Sequence, residues 1–546
     1  MGNCPFYASG RKLFSGLLIT LIASLPHFTK AAGVTIITHG FEDDSSYPTW
    51  VSAMADAMPN YPSFPGTNFT TYRLTLSDDG SGYLFSSTRT NGSSPFASDS
   101  GEIIIELDWS SLSGDLSDSY ASTYNVGWAV SQILMLTNAI SELDGHPLAE
   151  LPIHLIGHSR GGSLISQISY VLGTNGIWVD HLTTLDPYPL NNDGDIDPAA
   201  YEDASAKNTY ANVLFADNYW QDLGVGVYFG DPDGEPVSGA YVRQLTDLSG
   251  GYWNVSSLEA PDHSNVHLWY HGTVELNTPS NDSEATITSA ERSAWWVEYE
   301  QEGTNSGFEY SLIGGGNRLS TDMPLGLPGD PAIIDGYNQY WDLGAGTANP
   351  NRTALDSDNG TWPNILKFNI AGTNVVAENA FVDATLYYQY AGMSNLTLSI
   401  CFDEDFNPYN SNSVPVLQLQ PPQTGTDSVN YYQSLGLNTT NVPPGTYAVY
   451  GKLSDGVHTR YLYAPELLNI VSKLQAPALE ITLADSTQLV IGVNGVYGQN
   501  IVLQTSTDLR TWLPLATNTM KSGRWNYTNL ATSASSELFY RGLVSP

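Results

Sequence analysis

Gly157-His158-Ser159-Arg160-Gly161 sets a serine between two glycines in the pattern G-x-S-x-G. A serine hydroxyl is a poor nucleophile until a base takes its proton and a carboxylate orients that base. The chain holds 50 glycines, so the pattern alone carries little weight and its surroundings decide. It follows an apolar run at 151–156 and precedes helical periodicity at 163–172. That order predicts a strand, a sharp turn and a helix, in which small neighbours let the serine project from the end of a sheet. The bland alternative is a glycine-rich β–α turn without chemistry.

A carboxylate and a histidine should then follow. Asp186 stands directly after a predicted strand at 181–185 and before Pro187, at a strand end where ligands gather in open α/β sheets. An Asp-Pro pair is also an ordinary turn, and Asp193, Asp195 and Asp197 are rivals in a loop-like run. Of the histidines after Asp186, His458 falls in a region of β texture, leaving His263, His267 and His271. Residues 262–271 read as a loop entering a helix, with Ser264 as a possible N-cap. A base reaching a serine from a loop favours His263, with His267 in reserve. The spacing of four also suits metal ligation, although no carboxylate of the zincin type accompanies it. An oxyanion needs backbone N–H donors. One is Arg160, the residue after the nucleophile. The other is Phe41 in Thr38-His39-Gly40-Phe41, where Gly40 allows close approach.

The elements that would position these residues alternate in type. Short apolar runs at 34–38 and 102–107 read as strands, and Val126, Ala129, Val130, Ile133, Leu134, Leu136 and Ile140 recur at helical spacing. Strands alternating with helices predict a mostly parallel sheet covered on both faces. Beyond about residue 345 helical periodicity gives way to short alternating runs. Residues 446–450, Asp455-Gly456 and 460–463 predict strand, hairpin turn and strand. After a linker at 475–477, the runs 489–491 and 501–504 flank a turn at Asn494-Gly495. The expected organisation is a leader at 1–32, a catalytic α/β domain at 33–345, a β-sandwich at 346–474 and a small β module at 478–546. The stretch 281–345, with Trp295-Trp296, is assigned to the catalytic domain.

With 41% hydrophobic and 11% aromatic residues the chain is globular, and 546 residues suggest two to four domains. Nineteen Lys+Arg against 56 Asp+Glu give a formal charge of −37, which repels phosphate backbones and excludes nucleic acid as a partner. Arg11, Lys12, the apolar stretch 13–25 and Thr29-Lys30-Ala31 read as a secretory signal peptide, so the protein is expected to be secreted. Cys4 lies in that leader, and Cys401 alone remains, so no intramolecular disulfide is possible. No later segment is long and apolar enough to span a bilayer, and an integral membrane protein is not expected.

The ordered set His39-Gly40-Phe41, Asp108-Trp109, Gly157 to Gly161, Asp186-Pro187 and His263 resembles the pancreatic-type lipase superfamily over about residues 33–275. The resemblance implies an α/β-hydrolase fold, followed here by two β-sandwich-like modules. It also implies ester hydrolysis through an acyl-serine, with Ser159, Asp186 and His263 as triad and Phe41 and Arg160 as oxyanion donors. The chain departs from the family in lacking paired cysteines and in an insertion of about forty residues near 60–100. Both count against a disulfide-closed lid and a long-chain lipid preference. Residues 504–512 are similar to small β modules appended to secreted bacterial proteins. No cofactor is expected; the oxygens of Asp193, Asp195 and Asp197 suit calcium, or form a solvated acidic turn. The aromatics Phe215, Tyr219, Trp220, Tyr228, Phe229 and Tyr241 could wall an acyl cleft, with core packing the default. The expected partner is an ester, whether lipid, small ester or polymer. Two alternatives stand beside it: a polymer-directed esterase tethered by its β modules, and an inert surface-binding protein.

Overall fold

The computed structural model describes residues 32–545 except 189–202, 222–233, 246–260, 276–306, 315–351 and shorter interruptions of one to seven residues. Residues 1–31 of the predicted leader, Asp193, Asp195, Asp197, Tyr228, Phe229, Trp295 and Trp296 lie outside the described residues, whereas Ala32, the leader's expected last residue, is buried in the core beside β1.

The apolar, β-branched run Val34–Thr38 forms β1, buried along its whole length. After it come α1 (Thr49–Ala57), β2 (Thr70–Asp78), β3 (Tyr83–Asn91), β4 (Ile103–Asp108), α2 (Ser110–Ser113) and α3 (Thr123–Met135). β5 (Ile153–His158), α4 (Arg160–Thr174), β6 (Val179–Leu185), β7 (Val213–Trp220), β8 (Tyr241–Gln244) and α5 (Pro261–Val274) complete the domain's main elements. The eight strands form one sheet in the order β3-β2-β4-β1-β5-β6-β7-β8. Every neighbouring pair is parallel except β2 and β3, an antiparallel hairpin at the edge. That hairpin occupies much of the insertion noted near 60–100.

Successive strand residues feed opposite faces, as the period of two requires. Ile36, Ile105 and Leu155 join a core with Val126 and Val130 of α3 and Leu164 and Ile168 of α4. Ile37, Ile104 and Ile156 join a second core with Trp50 and Met54 of α1 and Val266 and Trp269 of α5. The sheet is therefore helix-covered on both sides. Phe308 and Ile313 enter the α5 core, and Gly307 N–H donates to the Tyr219 hydroxyl. Phe215, Tyr219 and Trp220 of β7 and Tyr241 of β8 are buried, as core packing requires. No helix among the described residues is long and apolar enough to cross a membrane.

From Asn364 onward the elements among the described residues are all β strands. β9 (Asn364–Ala371), β10 (Val375–Ala377), β11 (Phe381–Gln389), β12 (Thr397–Asp403), β13 (Ser413–Leu419), β14 (Asn430–Asn438), β15 (Gly445–Ser454), β16 (Thr459–Tyr463) and β17 (Leu468–Val471) make two sheets. One runs β10-β17-β15-β12-β13 with β16 on β15, the other β14-β11-β9, and they share one core. The predicted hairpin is there: β15 and β16 pair antiparallel around Asp455-Gly456, with Gly456 at φ +89°. β18 (Ala478–Asp485), β19 (Gln488–Asn494), β20 (Asn500–Ser506), β21 (Leu513–Thr519), β22 (Arg524–Leu530) and β23 (Phe539–Ser545) form two three-stranded sheets, β18-β19-β22 and β21-β20-β23. Asn494-Gly495 therefore links two sheets. Val493 and Ile501 on either side enter one small core.

The first β module is joined to the α/β domain at the N-terminal ends of the parallel strands. Gly101, just before β4, donates its N–H to Phe406 O at 2.8 Å. Trp178, just before β6, donates its N–H to Asn364 Oδ1 at 3.1 Å. The buried Arg460 guanidinium donates to the carbonyls of Ala149 and Trp178 at 2.7 and 2.8 Å. Burial lowers its pKa to about 10, which leaves it charged at neutral pH. Phe406, Tyr450, Tyr461 and Tyr463 belong to the same core as β1, β4 and β5.

Candidate active site

The sharp turn predicted at Ser159 is present. Ser159 links β5 to α4 at φ +55° and ψ −128°, a region that costs a residue other than glycine about 1–3 kcal/mol. Three main-chain bonds hold it. Its N–H donates to Leu185 O at 3.0 Å, and its carbonyl accepts from Gly162 N–H at 2.8 Å and Tyr188 N–H at 3.2 Å. The two motif glycines answer to packing: a Cβ on Gly157 would lie 2.3 Å from Gly161 O, and one on Gly161 would lie 2.6 Å from His39 O.

Asp186 follows β6, the neighbour of β5, so parallel pairing carries both residues to one end of the sheet. Its carboxylate is wholly buried, and His263 Nδ1 lies 2.7 Å from its Oδ2. Gln221 donates its main-chain N–H to Oδ1 at 2.8 Å and its side-chain amide to Oδ2 at 2.9 Å; Gly234 N–H adds a bond to Oδ1 at 3.1 Å. Burial pushes the Asp186 pKa up, while the bonds from His263 and Gln221 pull it back.

His263 does not sit in a loop before the helix. α5 starts at Pro261, three residues ahead of the expected cap Ser264, so His263 lies in its first turn. Proline suits a first helical position because its missing N–H would have no partner there. His267, one turn on, lies flat against Trp50, with ring centroids 4.2 Å apart and planes 13° apart. Asp186 meets His263, and His267 is packed in the core; His271 is buried too. Among the described residues no group of three or more His, Cys, Asp or Glu is arranged to hold a metal ion.

The loop after β1 lies over the turn. A Cβ on Gly40 would stand 2.6 Å from Ser159 Cβ, 2.9 Å from its Oγ and 3.0 Å from Arg160 N. Phe41 follows, 40% exposed, with its ring against Gly114. The loop is braced by Trp109, whose indole N–H donates to His39 O at 3.1 Å and whose ring stacks on the His39 imidazole. His39 Nε2 accepts the Trp109 main-chain N–H at 3.4 Å, leaving Nδ1–H to donate to Gly40 O at 3.0 Å. Burial lowers the His39 pKa to about 4, so it is a neutral brace.

The Arg160 side chain enters a buried bidentate pair with Asp203, at 2.6 and 2.8 Å, and also donates to Ser113 O and Ala121 O. Asp203 Oδ1 further accepts Thr123 N–H at the start of α3. Sequence reasoning missed Gln221, Gly234 and Asp203, whose contacts span 35 to 80 residues. Trp109 was visible only as part of Asp108-Trp109.

The fold and site define an α/β chain with appended antiparallel β sheets and a serine turn beside a buried Asp–His pair. No family model matches the chain, and a search of curated proteins gives no similar sequence.

Proposed function

We propose that this chain is a secreted serine hydrolase of the α/β-hydrolase fold that cleaves carboxylic esters, similar to the pancreatic-type lipases. The observation that carries the reading is the 2.7 Å contact between His263 Nδ1 and the buried Asp186 carboxylate, one strand from the strained Ser159 turn. His263 Nε2 takes the Ser159 proton as Oγ attacks the ester carbonyl carbon. The N–H groups of Phe41 and Arg160 receive the oxyanion, and Asp186 stabilises the imidazolium. Collapse expels the alcohol, which takes the proton from His263 and leaves an acyl-serine. Water, deprotonated by the same histidine, then releases the acid and restores Ser159.

The test is hydrolysis of p-nitrophenyl esters from short to long acyl chains by the mature protein and by Ser159→Ala. Loss of about three orders of magnitude or more in kcat/KM is expected, with the fold intact. Equal activity in the two proteins refutes the assignment. Failure of every such ester in a folded wild-type protein would move the polymer-directed esterase and the inert surface-binding readings ahead of it. The first β module shares a core with the α/β domain, so any polymer tether is expected in residues 478–546, and the informative truncation is near 475.

A further inference from the structure

His158, the residue before the proposed nucleophile, is buried at the end of β5 and has no part in the scheme above. Its Nε2 lies 2.9 Å from the main-chain carbonyl of His263. A carbonyl only accepts, so His158 carries its proton on Nε2 and donates. Its ring centroid is 4.6 Å from that of His263, and its ring meets Trp50 and His267 edge-on, at 5.9 and 4.8 Å. Burial, with His263 and His267 close by, holds its pKa well below the ordinary value, so the ring is a neutral donor.

We infer, resting on the serine-hydrolase reading, that His158 is a positioning residue that fixes the main chain of the base His263 to the residue beside the nucleophile. The Asp186 contact holds the Nδ1 end of the His263 side chain. The His158 bond fixes the backbone from which that side chain springs. The path Ser159, His158, His263 is one peptide bond and one hydrogen bond long and bypasses Asp186. A misplacement of 1 Å between nucleophile and base can cost about 100-fold in rate, so so short a link acts directly on kcat.

The test compares His158→Leu, which keeps apolar bulk but loses the donor, with His158→Gln, whose side-chain amide can still donate. Both are measured beside wild type and Ser159→Ala, and rates are normalised to sites titrated by a fluorophosphonate. The expected result is a kcat about 10- to 100-fold lower per titrated site in His158→Leu. KM should stay within about 3-fold, the phosphonylation rate should fall in parallel, and most of the loss should be recovered in His158→Gln. A His158→Leu enzyme with wild-type kcat per titrated site overturns the inference, as does a Gln variant no better than Leu. Should Ser159→Ala keep its activity, the serine-hydrolase reading itself fails, a result separable from either of these.

Discussion

Glu102 gives the most quantitative prediction. It lies immediately before β4 and is 1% exposed. Its Oε1 accepts the Thr35 hydroxyl at 3.0 Å, and the main-chain N–H of Gly33 lies beside the carboxylate; both work against the effect of burial. It borders a cavity of about 10 Å³, shared with His154 and Asp180, roughly the room for one water. Burial pushes its pKa up from 4.5 to about 8, with the charge of Asp180 adding to the shift. Since the folded value lies above the unfolded one, the native state holds a proton that the unfolded chain releases. There is no penalty below pH 4.5, and stability is lost as pH rises from there through 8. At pH 7 the 2.5-unit gap from 4.5 corresponds to roughly 3 kcal/mol, growing to roughly 5 kcal/mol above pH 8. Glu102→Gln copies the neutral acid in shape and hydrogen bonding. It should raise the thermal midpoint at pH 7 and more at pH 8.5, and leave it unchanged at pH 4. Ester hydrolysis should stay at the wild-type rate, because Glu102 sits at the strand ends opposite Ser159. A stability difference that does not vary with pH, or a less stable variant at pH 8.5, refutes the reasoning.

Two further predictions bear on the two ends of the sheet. Gly40→Ala places a methyl 2.6 Å from Ser159 Cβ and 3.0 Å from Arg160 N, the proposed oxyanion donor. Its kcat/KM should fall at least about 100-fold, and because contacts this short force the buried turn to shift, the melting temperature should fall as well. Both are measured on the same preparation by ester assay and circular dichroism, and the rate is compared in the folded fraction. Arg460→Met removes two charge-assisted bonds to Ala149 O and Trp178 O while keeping an apolar stem. It should cost roughly 3 kcal/mol, read as a lower urea midpoint, with KM unchanged in the protein that remains folded.

The serine turn was legible because its signals are local: an apolar run, small residues around a serine and a helical pattern all lie between residues 151 and 172. Asp186 was legible by its place at a strand end. His263 was chosen on the ground that a base must hang from a loop, yet it stands inside α5, where Pro261 starts the helix earlier than Ser264 suggested. β7 was harder, because Asp217 and Asn218 interrupt its apolar run. Both are buried, and each finds a partner on the neighbouring strand. Asp217 meets His181 and Thr183 at 2.8 and 2.6 Å, and Asn218 donates to Thr184 at 2.9 Å. A single window of sequence shows such residues only as polar. The edge hairpin β2–β3 hid for the opposite reason: most of β3 faces solvent and needs no apolar alternation.

The change of texture near residue 345 separates two kinds of secondary structure, but the core runs across it. In a parallel sheet the C-terminal strand ends carry the chemistry and the N-terminal ends need only be covered. Here the cover comes from the first β module, through Phe406, Tyr450, Tyr461 and Tyr463 packed in one core with β1, β4 and β5. A chain cut at 345 would expose that apolar surface, and the carbonyls of Ala149 and Trp178 would lose the buried Arg460. The smallest unit that can keep the Ser159 turn and the His263–Asp186 pair in place thus extends through β17. The module so bound lies at the far end of the strands from Ser159, so its effect on catalysis runs through the stability of the sheet and not through contact with substrate.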